Sequence, residues 1–127
     1  MALPTGSGSE ILRSGGMNGL TNTATSFNFG GGISVVATNN TVVPTLSIVT
    51  ILNIVYCEMA DADELIDLYV YKSSNQCNIL NNASLPAKST FVFSDRLVLM
   101  AGDRVTTNLA SAGTADVYFS YILQDWS

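Results

Sequence analysis

Apolar and polar residues alternate most clearly between positions 115 and 123. The odd-numbered positions form the apolar row: Ala115, Val117, Phe119, Tyr121 and Leu123. A period of two is typical of a β-strand with one face against a core. The residues before this run predict two further strands. A turn at Gly102-Asp103 separates these two strands, and a corner at Gly113 leads from the second of them into the last strand. Since hairpins alone are marginal in water, this meander must pack on other strands.

The middle of the chain supplies those strands. The run 47–59 is apolar at both alternation classes, which predicts a strand covered on both faces, one by the facing sheet and the other by a neighbouring subunit. The run 65–72 alternates again, 76–80 is a further strand, and 81–84 is a loop. Eight or nine short strands without helical periodicity predict an all-β fold: a two-layer antiparallel β-sandwich, jelly-roll-like, with an extended N-terminal arm.

The predicted arm covers residues 1–32, and the β-sandwich domain covers 33–127. Eight of the ten glycines lie before residue 33, and such a stretch has a high entropic cost of ordering. We expect its sparse apolar residues to anchor it in pockets of a neighbouring subunit: Leu3, Ile11, Leu12, Met17, Leu20, Phe27 and Phe29. Deleting the arm should then leave a folded domain. The alternative is that the segment folds back on its own domain as an extra edge strand.

Composition indicates a protein that meets other protein. Charged residues make up only 12% of the chain, against roughly 25% in an average domain. We expect a homo-oligomer with these subunit contacts: Val49, Ile51, Val55, Tyr69, Tyr71 and Tyr118. A net charge of −5 with five basic residues disfavours nucleic acid. The longest apolar run is too short for a membrane span, and the N-terminus does not have the pattern of a signal peptide.

Candidate chemistry is sparse. The chain contains no histidine, which removes the commonest general base and metal ligand, so we expect no enzyme and no cofactor. Gly30–Gly32 is followed by a strand pattern rather than a helix, which disfavours a phosphate loop. Tyr69, Tyr71, Tyr118 and Trp126 would suit a sugar-binding surface, although subunit contacts are commoner for such residues.

Two further groups leave alternatives open. The acidic residues Glu58, Asp61, Asp63, Glu64 and Asp67 could bind calcium, but they lack the twelve-residue calcium-loop pattern, and a solvated acidic loop is favoured. Cys57 and Cys77 lie on successive predicted strands, where a disulfide is conceivable. Two free, buried thiols are the favoured interpretation.

The segment 97–121 resembles the C-terminal half of small virion β-sandwich proteins of tailed bacteriophages. The resemblance rests on the L-x-x-G-D turn at Leu99–Asp103, the S-A-G-T-A corner at Ser111–Ala115 and the alternating last strand. The preceding order of a long apolar strand, an acidic loop and a strand with tyrosines is also similar, so the resemblance covers roughly residues 41–123. It implies a homotrimeric capsid decoration (cement) protein that stabilises the major capsid lattice through its arm, in a virion assembled in the host cytoplasm. The alternative is a tail-fibre, head-fibre or adaptor module, with carbohydrate recognition as one such role.

Overall fold

Ten β-strands form the regular structure in a computed structural model that describes residues 9–30, 33–34 and 42–125. In chain order they are β1 (Ser9–Leu20), β2 (Thr25–Ser26), β3 (Ile33–Ser34), β4 (Ser47–Glu58), β5 (Glu64–Lys72), β6 (Asn75–Leu85), β7 (Thr90–Phe93), β8 (Leu97–Leu99), β9 (Arg104–Leu109) and β10 (Ala115–Asp125). Within these ranges the structure contains no helix that is long and apolar enough to cross a membrane.

The strands form two sheets that face each other. In the first sheet the order is β3-β1-β10-β4-β7, with β8 also paired to β4. In the second sheet the order is β2-β9-β5-β6. Every ladder is antiparallel except the two-residue pairing of β1 with β3. The predicted all-β, two-layer, jelly-roll-like sandwich is therefore confirmed.

The core lies between the sheets and is centred on β10. The five residues of the predicted apolar row, 115 to 123 in steps of two, are all buried. Phe119 forms the middle of an aromatic cluster, with ring centroids 4.6 Å from Phe27, 6.3 Å from Phe29 and 5.6 Å from Tyr121. Aromatic rings supply large buried areas and favour tilted, edge-to-face and offset-stacked contacts such as these. The cluster therefore joins the N-terminal segment to the last strand.

A buried polar link connects the two sheets inside this apolar core. The hydroxyl of Thr107 on β9 donates to the carbonyl of Asp67 on β5 at 2.7 Å. The phenol oxygen of Tyr56 on β4 lies 2.8 Å from the same hydroxyl. Since the Thr107 proton is already committed, Tyr56 is the donor of this bond. Burial raises the pKa of Tyr56 to far above its ordinary value, so the phenol keeps this proton.

The N-terminal segment differs from the predicted arm. Strand β1 pairs with β10 from Ser9 opposite Asp125 to Gly16 opposite Tyr118, and among the described residues its other side pairs only with the two-residue β3, at Gly16 and Met17. Four of the proposed arm anchors are buried in the chain's own core: Met17, Leu20, Phe27 and Phe29. The alternative, in which the segment folds back on its own domain, agrees with this placement. Ladder hydrogen bonds and core contacts together offset the entropy that its glycines lose.

The remaining proposed anchors have different positions. Ile11 is 38% exposed and Leu12 is 71% exposed on β1, whereas Leu3 lies outside the described residues. Strand β1 belongs to the first sheet and β2 to the second. Since both lie before residue 32, the described chain does not divide into an arm and a domain at that residue.

A β-bulge in β4 decides which of its residues face the core. The pairing with β10 shifts between Asn53 opposite Ser120 and Ile51 opposite Tyr121, which leaves Leu52 as the extra residue. Such a bulge reverses the alternation of the strand beyond it. Val49 and Ile51 are consequently fully buried, so their assignment to a subunit interface is wrong. The predicted third member, Val55, lies beyond the bulge and faces outward, beside Tyr118.

Candidate functional site

The outer face of the first sheet carries two rows of apolar side chains, and we call the residues Leu12, Val55, Val92, Val98, Tyr118 and Ile122 the apolar face. One row runs across the sheet from Tyr118 to Val55 and Val92. A second row runs from Leu12 to Ile122, Thr50 and Val98. Four of the six are well exposed, from 55% at Val92 to 71% at Leu12. Each of these four large apolar side chains leaves more than half of its surface exposed to water, which is unusual in the middle of a sheet.

Charge is confined to the ends of this face. Among the described strand residues that point outward here, Glu10 and Asp116 are the charged ones, and they lie at opposite ends of the sheet. Asp116 accepts a hydrogen bond from the backbone N–H of Gly19 at 3.0 Å. With strands spaced about 5 Å apart and about 3.4 Å per residue, the face covers roughly 300–400 Å². A polar row of Ser14, Ser120 and Asn53 runs between the two apolar rows. The exposed apolar side chains on either side of it make this face a candidate protein contact.

A hollow at one end of the apolar face contains the first cysteine. It has a volume of about 250 Å³ and is lined by Gly16, Val55, Cys57 and Tyr118, among others. Gly16 stands opposite Tyr118 in the ladder and leaves room that a side chain would fill. Both thiols are free: Cys57 is half-buried in the first sheet, and Cys77 is exposed in the second. The prediction that both cysteines are buried is therefore wrong for Cys77.

The outer face of the second sheet is polar and aromatic instead. The rings of Tyr69 and Tyr71 meet edge to face, with centroids 5.6 Å apart. The guanidinium of Arg104 lies 4.2 Å from the centroid of the Tyr71 ring, which is a cation–π contact. Burial, with smaller contributions from Tyr71 and Asp67, raises the pKa of Tyr69, so its phenol remains neutral. These two tyrosines thus lie on the opposite side of the sandwich from Tyr118.

Next to the tyrosines is a polar pocket of about 280 Å³. Its lining consists of Asp67, Tyr69, Gln76, Asn78, Asn81 and Asn108, which come from β5, β6 and β9. The Asp67 carboxylate accepts a hydrogen bond from the backbone N–H of Asn82 at 2.9 Å and lies 3.5 Å from the Asn108 amide nitrogen. This arrangement brings one carboxylate, four side-chain amides and one phenol together. The sequence indicated Asp67 as part of an acidic group, and Tyr69 as a subunit contact or, alternatively, part of a sugar-binding surface.

The acidic residues that suggested calcium take separate partners. Glu58 accepts hydrogen bonds from the backbone N–H groups of Ala60, Asp61 and Lys88 at 2.7, 3.0 and 2.9 Å. Asp63 accepts one from Ala87 at 3.0 Å. No group of three acidic or cysteine side chains is placed to bind a metal in the part of the chain that the structure describes. Glu58 instead fastens the 59–63 loop to the turn before β7.

Glu58 makes the stability of this end of the sandwich depend on pH. The Lys88 N–H lowers its carboxyl pKa most, burial opposes this, and the amides of residues 60–62 lower the pKa further. A depressed folded-state pKa stabilises the fold fully above the ordinary value of 4.5, and this stabilisation is lost as the pH falls below it. We expect Glu58→Gln to lower Tm by several degrees at neutral pH, and the difference from wild type to shrink on acidification. Thermal melts across pH measure both effects.

The matched control for this measurement is Glu10→Gln, at an exposed position near the start of β1. Its melting curve should follow that of wild type at every pH. A Glu58→Gln variant with a constant Tm difference from neutral to acidic pH would contradict the assigned role of the carboxylate.

Comparison with known proteins adds information on the fold. No family model matches this chain, and no curated protein matches it. A chain from the structure of infectious bursal disease virus Gx strain is 8% identical with a TM-score of 0.52, and the match covers 94% of this chain and 34% of that chain. The present chain thus spans about a third of the viral one. At this identity the likeness shows a shared fold.

Two further solved structures have lower TM-scores. The Drosophila NLP-core, reported for pentamer formation and histone binding, is 14% identical with a TM-score of 0.47, covering 89% of this chain and 96% of that chain. The globular domain of the zebrafish complement 1qA protein is 15% identical with a TM-score of 0.42, covering 88% and 92%.

Proposed function

We propose that this chain is a structural protein of a bacteriophage virion: a capsid decoration (cement) protein that binds the lattice of the major capsid protein as a homotrimer. The observation that carries the proposal is the apolar face, an uncharged patch on the outside of a small jelly-roll-like sandwich. A protein with this surface gains free energy by covering it with protein. The proposed role is non-catalytic and requires no cofactor.

A second and a third copy of the chain are the partners that fit the apolar face. The chain carries a net charge of −5, so most surfaces of two copies repel each other. Glu10 and Asp116 lie at the two ends of the sheet, beyond the apolar face, and the residues between its two rows, Ser14, Ser120 and Asn53, are uncharged. Around a three-fold axis the faces of three copies can meet without placing carboxylates against each other.

The area of the apolar face favours assembly on a lattice over a tight complex of two copies in solution. A standard stable interface buries about 800 Å² on each partner, roughly twice the area of this face. One such contact is therefore weak. A trimer that also touches several capsid subunits gains avidity through effective concentration. Because it binds the assembled lattice and not the free subunits, it stabilises that lattice by mass action.

The resemblance of residues 97–121 to phage virion sandwiches supports the same role, and so does a fold shared with a viral chain. Residues other than those of the predicted arm must therefore make the proposed contacts with the capsid. Residues 9–30 contribute strands and core side chains to the sandwich, so they serve its folding. The proposal therefore depends on the sheet surface.

The test is to place a charge in the centre of the apolar face. Tyr118→Lys and Val55→Lys should each weaken trimer formation roughly 100-fold or more, since a desolvated unpaired charge costs several kcal/mol. Leu65→Lys is the matched control, because Leu65 is a 41% exposed apolar residue on the second sheet. Sedimentation velocity measures the oligomer. Cryo-EM of particles from the virus that encodes the chain should show three sandwiches on the capsid surface.

Two results would overturn this proposal. One is a wild-type chain that stays monomeric at the highest concentrations, with Tyr118→Lys unchanged from it. The other is a reconstruction in which the sandwich lies in the tail, which would favour the tail-fibre or adaptor role instead.

A further inference from the structure

We propose that the polar pocket on the second sheet, lined by Asp67, Tyr69, Gln76, Asn78, Asn81 and Asn108, is a binding site for a neutral saccharide. The pocket lies on the sheet opposite the apolar face, so it stays accessible when the chain assembles through that face. The two surfaces rest on separate observations, and either assignment can fail without the other.

The lining has the chemistry that a sugar requires. A side-chain amide both donates and accepts hydrogen bonds, as does each sugar hydroxyl, and a carboxylate accepts from two hydroxyls at once. The pocket contains four amides and one carboxylate, Asp67, beside the ring of Tyr69. A volume of about 280 Å³ is at the small end of ligand pockets and suits a terminal sugar unit.

Hydrogen bonds connect two of the pocket's amide side chains to the neighbouring tyrosine. Arg104 lies over the ring of Tyr71, whose hydroxyl donates to the side-chain oxygen of Gln76 at 3.0 Å. The Gln76 nitrogen in turn donates to the side-chain oxygen of Asn78 at 2.9 Å. Side chains already held in one geometry lose less entropy on binding. This network ends in the pocket and orders two of its four amides.

Irregular pairing of β6 builds the other side of the pocket. The ladder with β5 shifts register twice, between Ile66 and Leu68 and again between Leu68 and Tyr69. The first shift places two residues, Asn81 and Asn82, opposite the single residue Asp67, so β6 has one extra residue here. Asn82 takes a φ of 56°, in the left-handed region that asparagine tolerates, and its N–H reaches the Asp67 carboxylate. Bulges commonly re-aim side chains at functional sites.

A cation is the competing ligand, and the pocket suits it poorly. Calcium takes six to eight oxygen ligands, usually with several carboxylates, whereas Asp67 is the one carboxylate of this lining. Both Asp67 oxygens already have amide neighbours, Asn82 and Asn108. Amide-rich surroundings with a single negative charge favour an uncharged, polyhydroxylated ligand.

The experiment is a heteronuclear NMR titration of the isotope-labelled full chain. The probes are glucose, galactose, mannose, N-acetylglucosamine and disaccharides of these, each added alone. At least one should shift the amide signals of residues 67–69, 76–81 and 108, with a Kd on the order of 1 mM or below. Asn78→Ala should weaken this binding about tenfold, the loss expected for one hydrogen bond in a site. Asn75→Ala, on the same strand but outside the pocket, should leave it unchanged.

The outcomes that would overturn the assignment are distinct. The first is that none of the sugars shifts these signals at a concentration about 100-fold above that Kd. The second is that a sugar binds but Asn78→Ala and Asn75→Ala weaken its binding equally, which would place the site elsewhere. The third is that calcium chloride shifts the same signals while the sugars do not, which would make the pocket a cation site.

Discussion

Deleting residues 1–30 is expected to abolish folding. The truncated chain loses β1, the partner of β10 over most of its length, and four fully or nearly fully buried side chains: Met17, Leu20, Phe27 and Phe29. Burying these four contributes roughly 6–12 kcal/mol in transfer free energy. Total stability of a domain is about 5–15 kcal/mol, so the remaining strands cannot hold the sandwich. Circular dichroism and NMR signal dispersion of the purified fragment measure the result.

The matched control deletes residues 1–8, which leaves all of β1 in place. This shorter deletion should melt cooperatively, within a few degrees of the full chain. A cooperative transition in the longer deletion would show that the sandwich is complete without its N-terminal strand. That result would restore the interpretation of this segment as a detachable arm.

Glycine content explains why the sequence misled on this segment. Eight glycines before residue 33 predict a high entropic cost of ordering, and that cost is real. The sequence does not display what offsets it. Gly15 and Gly16 stand in a ladder opposite Phe119 and Tyr118, where their backbone pairs with β10. Long-range pairing of this kind, about a hundred residues apart in the chain, leaves no periodic signal.

Strand patterns were informative until a bulge intervened. The row from Ala115 to Leu123 on β10 was predicted on the core face and is buried throughout. In β4 the same period-two reasoning grouped Val49 and Ile51 with Val55, and the extra residue Leu52 separates them into core and outer face. A one-residue irregularity reverses every later side chain. Where both the odd-numbered and the even-numbered positions of a strand are apolar, the sequence does not show where the two faces exchange.

The candidate saccharide site shows the same limit. Residues 81–84 have the composition of a loop, and they are part of β6, whose bulged pairing with β5 brings Asn81 and Asn82 to Asp67. Turn-forming residues within a strand mark a bulge as well as a loop. The polar pocket could therefore not be assembled from the sequence, although the sequence indicates Tyr69 as suited to a sugar-binding surface and Asp67 as part of an acidic group.

Phe119→Ala is the point substitution with the largest expected effect on stability. Its ring is fully buried and touches Phe27, Phe29 and Tyr121, which come from both ends of the chain. Removing a buried phenylalanine ring costs about 3–5 kcal/mol, through lost transfer free energy and the cavity left behind. Urea denaturation should show a lower midpoint with an unchanged m-value. Ser120→Ala, the next residue along β10 and on its outer face, should stay within about 0.5 kcal/mol of wild type.

A double-mutant cycle with Phe27→Ala tests the connection between the two ends of the chain. The two ring centroids are 4.6 Å apart, so each single substitution already removes their mutual contact. The double variant should then lose less stability than the sum of the single losses, with a coupling free energy of about 0.5–3 kcal/mol. Strictly additive losses would contradict the packing of the N-terminal segment on β10, even if Phe119→Ala alone is strongly destabilising. Coupling between these rings is thus the energetic measure of whether residues 9–30 belong to the sandwich.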